Sequence, residues 1–338
     1  MSNDELFDKS LEQQLNLLRV EEGFRSDVLA KLKKLEDKII AKIFTQGETV
    51  RLNRLLRQVR NIIETDFKNI NKTLQKNITS LAKIQSNRQK AIISGSLGVE
   101  SISGISASKI NKLYKDVLIQ GAPSSVWWGR QSQSLKRSFE DNMREGVLFG
   151  ETLNQLVQRV RGTRAAGFND GIMSTTTRNA EALVRSSVQA VNNAARVEVL
   201  KANDDVIKYF MHVSTLDSRT STQCVVRDGL KWNAKTLKPV KHNLPFREPP
   251  LHWNCRSAII GLVDDKLAQG LERASSDGPV KASTTFEKWL EGKDSDFQNQ
   301  VLGVGKSKLW RDGKITFQQL LNQKGNPLTL KQLEEKYT

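Results

Sequence analysis

The chain has 338 residues, more than one ordinary domain requires and enough for two or three. Its hydrophobic fraction of 38% and charged fraction of 27% suit long, partly solvated helices better than one compact globule. No run approaches the roughly 18 to 20 apolar residues of a membrane span, the polar start from Met1 to Ser10 lacks a signal peptide's basic and apolar regions, and two cysteines make no disulfide framework, so folding in a reducing cytoplasm is expected.

The net charge of +16 is unevenly placed. Residues 1–50 hold eight Lys/Arg against ten Asp/Glu, residues 51–125 thirteen against four, and residues 262–338 twelve against eleven. Two readings of the basic stretch stand side by side. One is a surface for a polyanion such as double-stranded DNA, with Arg51, Arg54, Arg57, Arg60, Lys68, Lys72, Lys76 and Lys83 as the contacts. The other is a solvated helix face that keeps the protein in solution.

In chain order, residues 5–44 predict a helix, because Val28, Leu32, Leu35, Ile39 and Ile43 recur three or four apart and make one apolar stripe. Gly47 suits the position just past its end and Thr49 the cap of the next helix, which runs to about Lys90. There Leu52, Leu56, Val59, Ile63, Ile70, Leu74, Ile78, Leu81 and Ile84 approach a heptad. Two such helices joined by a short turn form an antiparallel hairpin whose arms would each reach roughly 60 Å. The stripes would pack on each other or on a second chain.

Residues 94–108, rich in Ser, Gly and Ile, predict a loop or domain boundary. A helix follows from about Ala107 to Gln120, ended by Gly121-Ala122-Pro123. The next, opened by Ser124 or Ser125, carries Trp127, Trp128, Leu135 and Phe139. Gly150 marks a turn, Thr152–Arg161 a short helix, and Thr175–Asn203 a longer one with Leu183, Val184, Val188, Val191, Ala194, Ala195 and Val199 on its apolar side. Large residues then alternate through Ile207–Val213, as in a half-buried strand. The tail from Phe286 is helical again, punctuated by Gly303, Gly305, Gly313 and Pro327. The expected fold is mainly α: a long helical hairpin over 1–93, a linker and short helix over 94–120, a helical connecting region over 121–174, a small α+β module over 175–262 and a helical tail over 263–338.

All three histidines and both cysteines fall within His212–Cys255. His252-Trp253-Asn254-Cys255 has a spacing that presents two ligands to one ion, Cys224 is a third, and Asp217, His212 or His242 would have to supply the fourth that zinc wants. With no C-x-x-C pair, a disulfide and a pair of buried thiols stand beside zinc, and no cofactor is the expectation. Thr215–Thr220 reads as a turn in which Asp217 accepts from backbone N–H groups and pairs with Arg219 or Arg256. The alternative is a metal-dependent nuclease or other enzyme in which Asp217 and His252 act as acid and base. No serine-hydrolase elbow, phosphate loop or HExxH motif occurs.

Asp217-Ser-Arg219-Thr220, Cys224, Asp228-Gly229 and Pro249-Pro250-Leu251-His252-Trp253-Asn254-Cys255-Arg256-Ser257, in that order and with these separations, resemble the Mu F-like phage head-morphogenesis domain. The helix from Glu181 through Arg185, Ser186, Ser187 and Asn192 to Arg196 is similar to the lead-in helix of such domains. Val126–Gln131 with Gly150–Thr152, and Phe286–Leu290 with the segments running to Leu330, resemble minor head proteins, so the resemblance covers roughly residues 120–335. The family's last motif cysteine falls at Ser257, which removes a ligand from any three-cysteine site. The resemblance implies a non-enzymatic minor head protein of a tailed phage, located in the virion at the capsid interior or portal vertex and in the host cytoplasm during assembly. Its implied partners are the portal, the major capsid or scaffolding protein, and viral double-stranded DNA, with no membrane.

Overall fold

The computed structural model describes residues 3–45, 51–264 and 271–337; Gly47 and Thr49 lie outside them. In chain order the elements are α1 (Asn3–Phe44), α2 (Leu52–Leu97), α3 (Ala107–Asp116), β1 (Leu118–Ile119), β2 (Ala122–Pro123), α4 (Ser124–Leu148), α5 (Leu153–Arg161), α6 (Ile172–Lys201) and β3 (Tyr209–Val213). There follow α7 (Thr222–Arg227), β4 (Lys231–Asn233), β5 (Pro239–Val240), β6 (Ala258–Leu262), β7 (Glu272–Ser275), β8 (Gly278–Lys281), α8 (Phe286–Glu291), α9 (Ser295–Leu302), α10 (Val304–Arg311), a 3-10 turn (Phe317–Leu320) and α11 (Leu330–Tyr337). The described chain is mainly helical, with one small sheet-bearing module and a helical C-terminal region, as the patterning predicts.

The two long helices pair antiparallel: Gln13 donates to Gln85 and Lys38 meets Asp66. Their stripes are buried as expected, except at Leu52, which is half-buried, and at Ile84, which is 57% exposed. The neighbouring buried position is Gln85, held by the Gln13 side chain through both its amide oxygen and its backbone carbonyl. The second helix also runs past the predicted break to Leu97, because burial of Ile92, Ile93 and Leu97 in a shared core outweighs the poor helix propensity of Ser and Gly there. The third helix stops at Asp116, short of the expected Gln120. Gln120 and Gly121 both take positive φ, and this two-residue turn closes the β1–β2 hairpin.

The chain forms two compact units, the first from Met1–Leu18, Leu81–Leu113 and Gln189–Thr338 and the second from Arg19–Ser80 and Tyr114–Val188. These cut across the consecutive segments read from the sequence, because long helices run through more than one of them.

In the second unit Trp128 is buried with its ring 6.1 Å from Phe67, Trp127 donates to the Ile119 carbonyl, and Tyr114 donates to Asn71. A capping box between Thr152 and Gln155 starts α5, satisfying donors that the first helical turn would otherwise leave unpaired. Arg159 on that helix pairs with Glu151.

In the first unit the antiparallel sheet has the order β5-β4-β3-β6. Strand β3, inside the sheet, and strand β6, at its edge, are both buried along nearly their whole length, which explains their nearly unbroken apolar runs. Met211, Val213, Ile260 and Leu262 pack on one face with Phe7 of α1 and Ala282. Phe210 and Ile259 pack on the other with Val197, Val199 and Leu200 of α6. A third cluster joins Leu216, Val225 and Val226 to Phe286, Trp289, Leu290, Leu309, Phe317 and Leu333, so the C-terminal helices fold back onto α7. The expected helical tail therefore holds, with the β7–β8 hairpin as an unpredicted insertion at its start.

Candidate functional site

The segment between β3 and β6 is built on three charge-and-turn devices and one thiol–imidazole cluster. The turn after β3 closes on Asp217. Its Oδ1 accepts from the Arg219 N–H and the Thr220 hydroxyl, while Thr220 also donates to the Thr215 carbonyl. Arg256, just before β6, grips both carboxylate oxygens at 2.7 Å. Of the two predicted cationic partners, Arg256 thus makes the fork, while Arg219 is 81% exposed and 3.4 Å away. Burial opposes ionisation of Asp217, but hydrogen bonds and charge from Arg256 outweigh it and hold the carboxyl below its ordinary value.

The second device centres on Asp228, whose side chain is fully buried. Oδ1 accepts from the Ser214 N–H at 2.6 Å and Oδ2 from the Phe286 N–H at 2.8 Å. Arg273 of β7 completes a two-pronged pair at 2.8 and 3.0 Å and also donates to the carbonyls of Ser214 and Thr284. One carboxylate therefore joins the end of β3, the β7–β8 hairpin and the start of α8. Gly229 follows at φ +77, its N–H donating to the His212 carbonyl, and a Cβ there would stand 2.8 Å from the Thr285 side chain. Only glycine fits both demands.

The third device is Arg227 of α7. It is buried, donates to the Pro245 carbonyl at 2.8 Å and lies over the Trp232 ring. Burial lowers its pKa to about 10.

Cys224 of α7 and the pair His252 and Cys255 from the turn before β6 converge. The Cys224 Sγ lies 3.3 Å from the His252 Nε2 and 3.5 Å from the Cys255 Sγ, and the three donor atoms all fall within 4.8 Å of one another. Both thiols are buried. The His252 Nδ1 faces the Trp253 carbonyl at 2.8 Å, which assigns the proton to Nδ1 and turns the Nε2 lone pair toward sulfur. Burial and the neighbouring Cys255 push the Cys224 thiol up; hydrogen bonds from Cys224 and His252 hold Cys255 down, so Cys255 ionises first. Burial works against protonation of His252, and the hydrogen bond and charge of Cys255 more than offset it. Asn254, between them, takes positive φ, a conformation asparagine tolerates better than most residues.

The structure thus gathers Cys224, His252 and Cys255 at one point, and Asp217, Arg219, Thr220 and Arg256 at another. The acid–base pairing of Asp217 with His252 has no contact behind it: the carboxylate is committed to Arg256 and its own turn, and the imidazole to sulfur and a carbonyl. His242 is also committed, between the Lys231 carbonyl and the Leu244 N–H. His212 is fully buried on β3, and neither ring nitrogen has a hydrogen-bond partner among the described residues. Burial lowers its pKa to about 4, and Cys255 and His252 are among the charges it feels.

Sequence reasoning missed Arg273 and Ser214. The alternation in Glu272–Ser275, followed by Ser276-Asp277-Gly278, is a hairpin signal that would have placed Arg273 on a strand, though not against Asp228.

The basic candidates on the second helix, and Arg51 just before it, are all exposed. At 100° per residue, Arg51, Arg54, Arg57, Lys68, Lys72, Lys76 and Lys83 occupy a sector of about 120° opposite the buried stripe. Arg60 lies outside it and pairs with Glu140 at 2.6 Å; Lys68 pairs with Glu64.

Residues 137–260, from α4 through β6, match the family model described as Phage Mu protein F like protein. No curated protein and no solved structure matches the chain.

Proposed function

We propose that this chain, which carries a Phage Mu protein F like domain over residues 137–260, is a structural protein of phage head morphogenesis that joins the head at the portal or inner capsid and touches DNA without reading its sequence. The family match carries the reading. The chemistry of the motif residues supports it. Asp217, Asp228, Arg256 and Arg273 saturate one another and nearby backbone groups, which is how residues are used to fix a fold. The thiols are buried, so neither is presented to a substrate.

On this reading the portal and the major capsid or scaffolding protein are the partners. The basic sector of α2 faces viral double-stranded DNA through its phosphates, since a row of exposed cations on one helix face neutralises backbone charge without reaching base edges. Among the described residues no helix is long and apolar enough to cross a membrane.

Particles assembled with and without the gene test the proposal. Expected is stoichiometric recovery of the chain in purified procapsids, with defective or fewer filled heads on deletion. Absence of the chain from procapsids and virions, with unchanged head yield, would overturn it.

A further inference from the structure

We propose that Cys224, His252 and Cys255 bind one zinc ion as a structural cross-link, with His212 as the fourth donor. Zinc takes thiolate sulfur at about 2.3 Å and imidazole nitrogen at about 2.0–2.1 Å, so the edges of a tetrahedral site are about 3.8 Å between two sulfurs and about 3.6 Å between sulfur and nitrogen. The observed separations are 3.5 Å for the two sulfurs and 3.3 Å for the Cys224 sulfur and the His252 nitrogen. Spreading the donors by a few tenths of an ångström would seat the ion. Two thiolates and an imidazole are the soft-to-borderline set that favours zinc over magnesium or calcium.

The surroundings of His252 are those of a ligating histidine. Its Nδ1 is paired with the Trp253 carbonyl, and this outer hydrogen bond fixes the tautomer that leaves Nε2 free to bind metal. Both sulfurs are buried while His252 is partly exposed, so the ion would be shielded on its sulfur side and reached from the side of the turn.

The group of donors within 4.8 Å of one another does not include His212, so its ring would have to swing toward the cluster to supply the fourth bond; strand register places it on the side from which it can. His212 pairs with Ile259, and continuing that register puts Ser214 opposite Ser257, where their hydroxyls meet at 3.1 Å. Side chains two apart share a face, so His212 lies on the same face as these serines. Ser214 in turn donates to the Cys224 carbonyl at 2.9 Å, so this face looks toward the cluster. His212 is buried with both ring nitrogens unpartnered among the described residues, whereas His242 and Asp217 have spent their donor atoms elsewhere. A buried imidazole without a hydrogen bond is costly, and coordination removes that cost. Four protein donors close the coordination shell, which is the pattern of a structural rather than a catalytic site. The ion would tie α7 to the turn before β6 and close the intervening loop.

Titration of the full, reduced, chelator-stripped chain with cobalt(II) alone tests this without any variant. Expected are the intense visible bands of tetrahedral cobalt and a sulfur-to-metal charge-transfer band, saturating at one ion per chain and abolished by added zinc. Cys224→Ser and Cys255→Ser should each lose most of the charge-transfer intensity. His212→Ala should shift the visible bands away from the tetrahedral pattern, and His242→Ala should leave them unchanged. No charge-transfer band at stoichiometric cobalt would overturn the site, as would a band that survives both cysteine replacements. Purification of the chain with its two thiols joined as a disulfide and no zinc would overturn it equally. A spectrum unaltered in His212→Ala would overturn the assignment of the fourth donor.

Discussion

Asp217 and Asp228 sit in turns eleven residues apart and do different work. Asp228 is sealed in with Arg273, and breaking a buried pair from one side leaves the other charge stranded. Arg273→Met should therefore destabilise the protein by about 3–5 kcal/mol in urea unfolding, with much of the loss recovered in the Asp228→Asn, Arg273→Met double variant. Asp217 is less deeply placed, and Asp217→Asn should cost about 1–3 kcal/mol at neutral pH. Its carboxyl is held below the ordinary 3.8, so the unfolded chain binds a proton first as pH falls. The stability it contributes is complete above about pH 4 and is lost as pH drops through the folded value. Urea unfolding at pH 7 and pH 3 should show the wild type losing more stability than Asp217→Asn between the two; equal losses would show that Asp217 does not titrate as described. The Asp217 turn was legible in the sequence because Arg219 and Thr220 are its chain neighbours. Arg273 was not, because it reaches Asp228 from 45 residues away through a short polar hairpin. The convergence of Cys224 with His252 and Cys255 was legible as ligand types and spacing. The separate commitments of Asp217 and His252 were not, because they depend on which face each turn presents.

At the scale of elements, the long helices were legible because a stripe repeated over many turns averages out local exceptions. Where a single turn or a few residues decide, the reading slipped. Gln120-Gly121 closes a hairpin instead of continuing a helix, and the Ser-Gly run after Ile93 stays helical because Ile92, Ile93 and Leu97 are held by a core. The basic sector of α2 opposite its apolar stripe yields an element-scale prediction. The full chain should retard duplex DNA of any sequence, with affinity falling steeply with salt. The triple replacement Arg54→Glu, Arg57→Glu, Lys72→Glu should lower the slope of log affinity against log salt by about three while leaving the helix content unchanged. Binding at low salt that the triple variant does not alter would assign this face to solvation instead.

For the whole molecule, sequence reading reached the fold class because helical stripes, one alternating strand and a turn-rich segment each carry their own period. It did not reach the two compact units, since α1, α2 and α6 each contribute to both and no linker separates them. The Mu F-like match spans 137–260 and so leaves the whole helical hairpin and the whole C-terminal helical region outside it. Whether this chain is built into a phage head is measured most directly by cryo-EM of procapsids purified with and without the gene. Density at the portal vertex or inner capsid wall is expected, present only when the gene is, into which the helical hairpin and the β3–β6 module fit. Identical maps from the two preparations, with the chain recovered only as free protein, would contradict it.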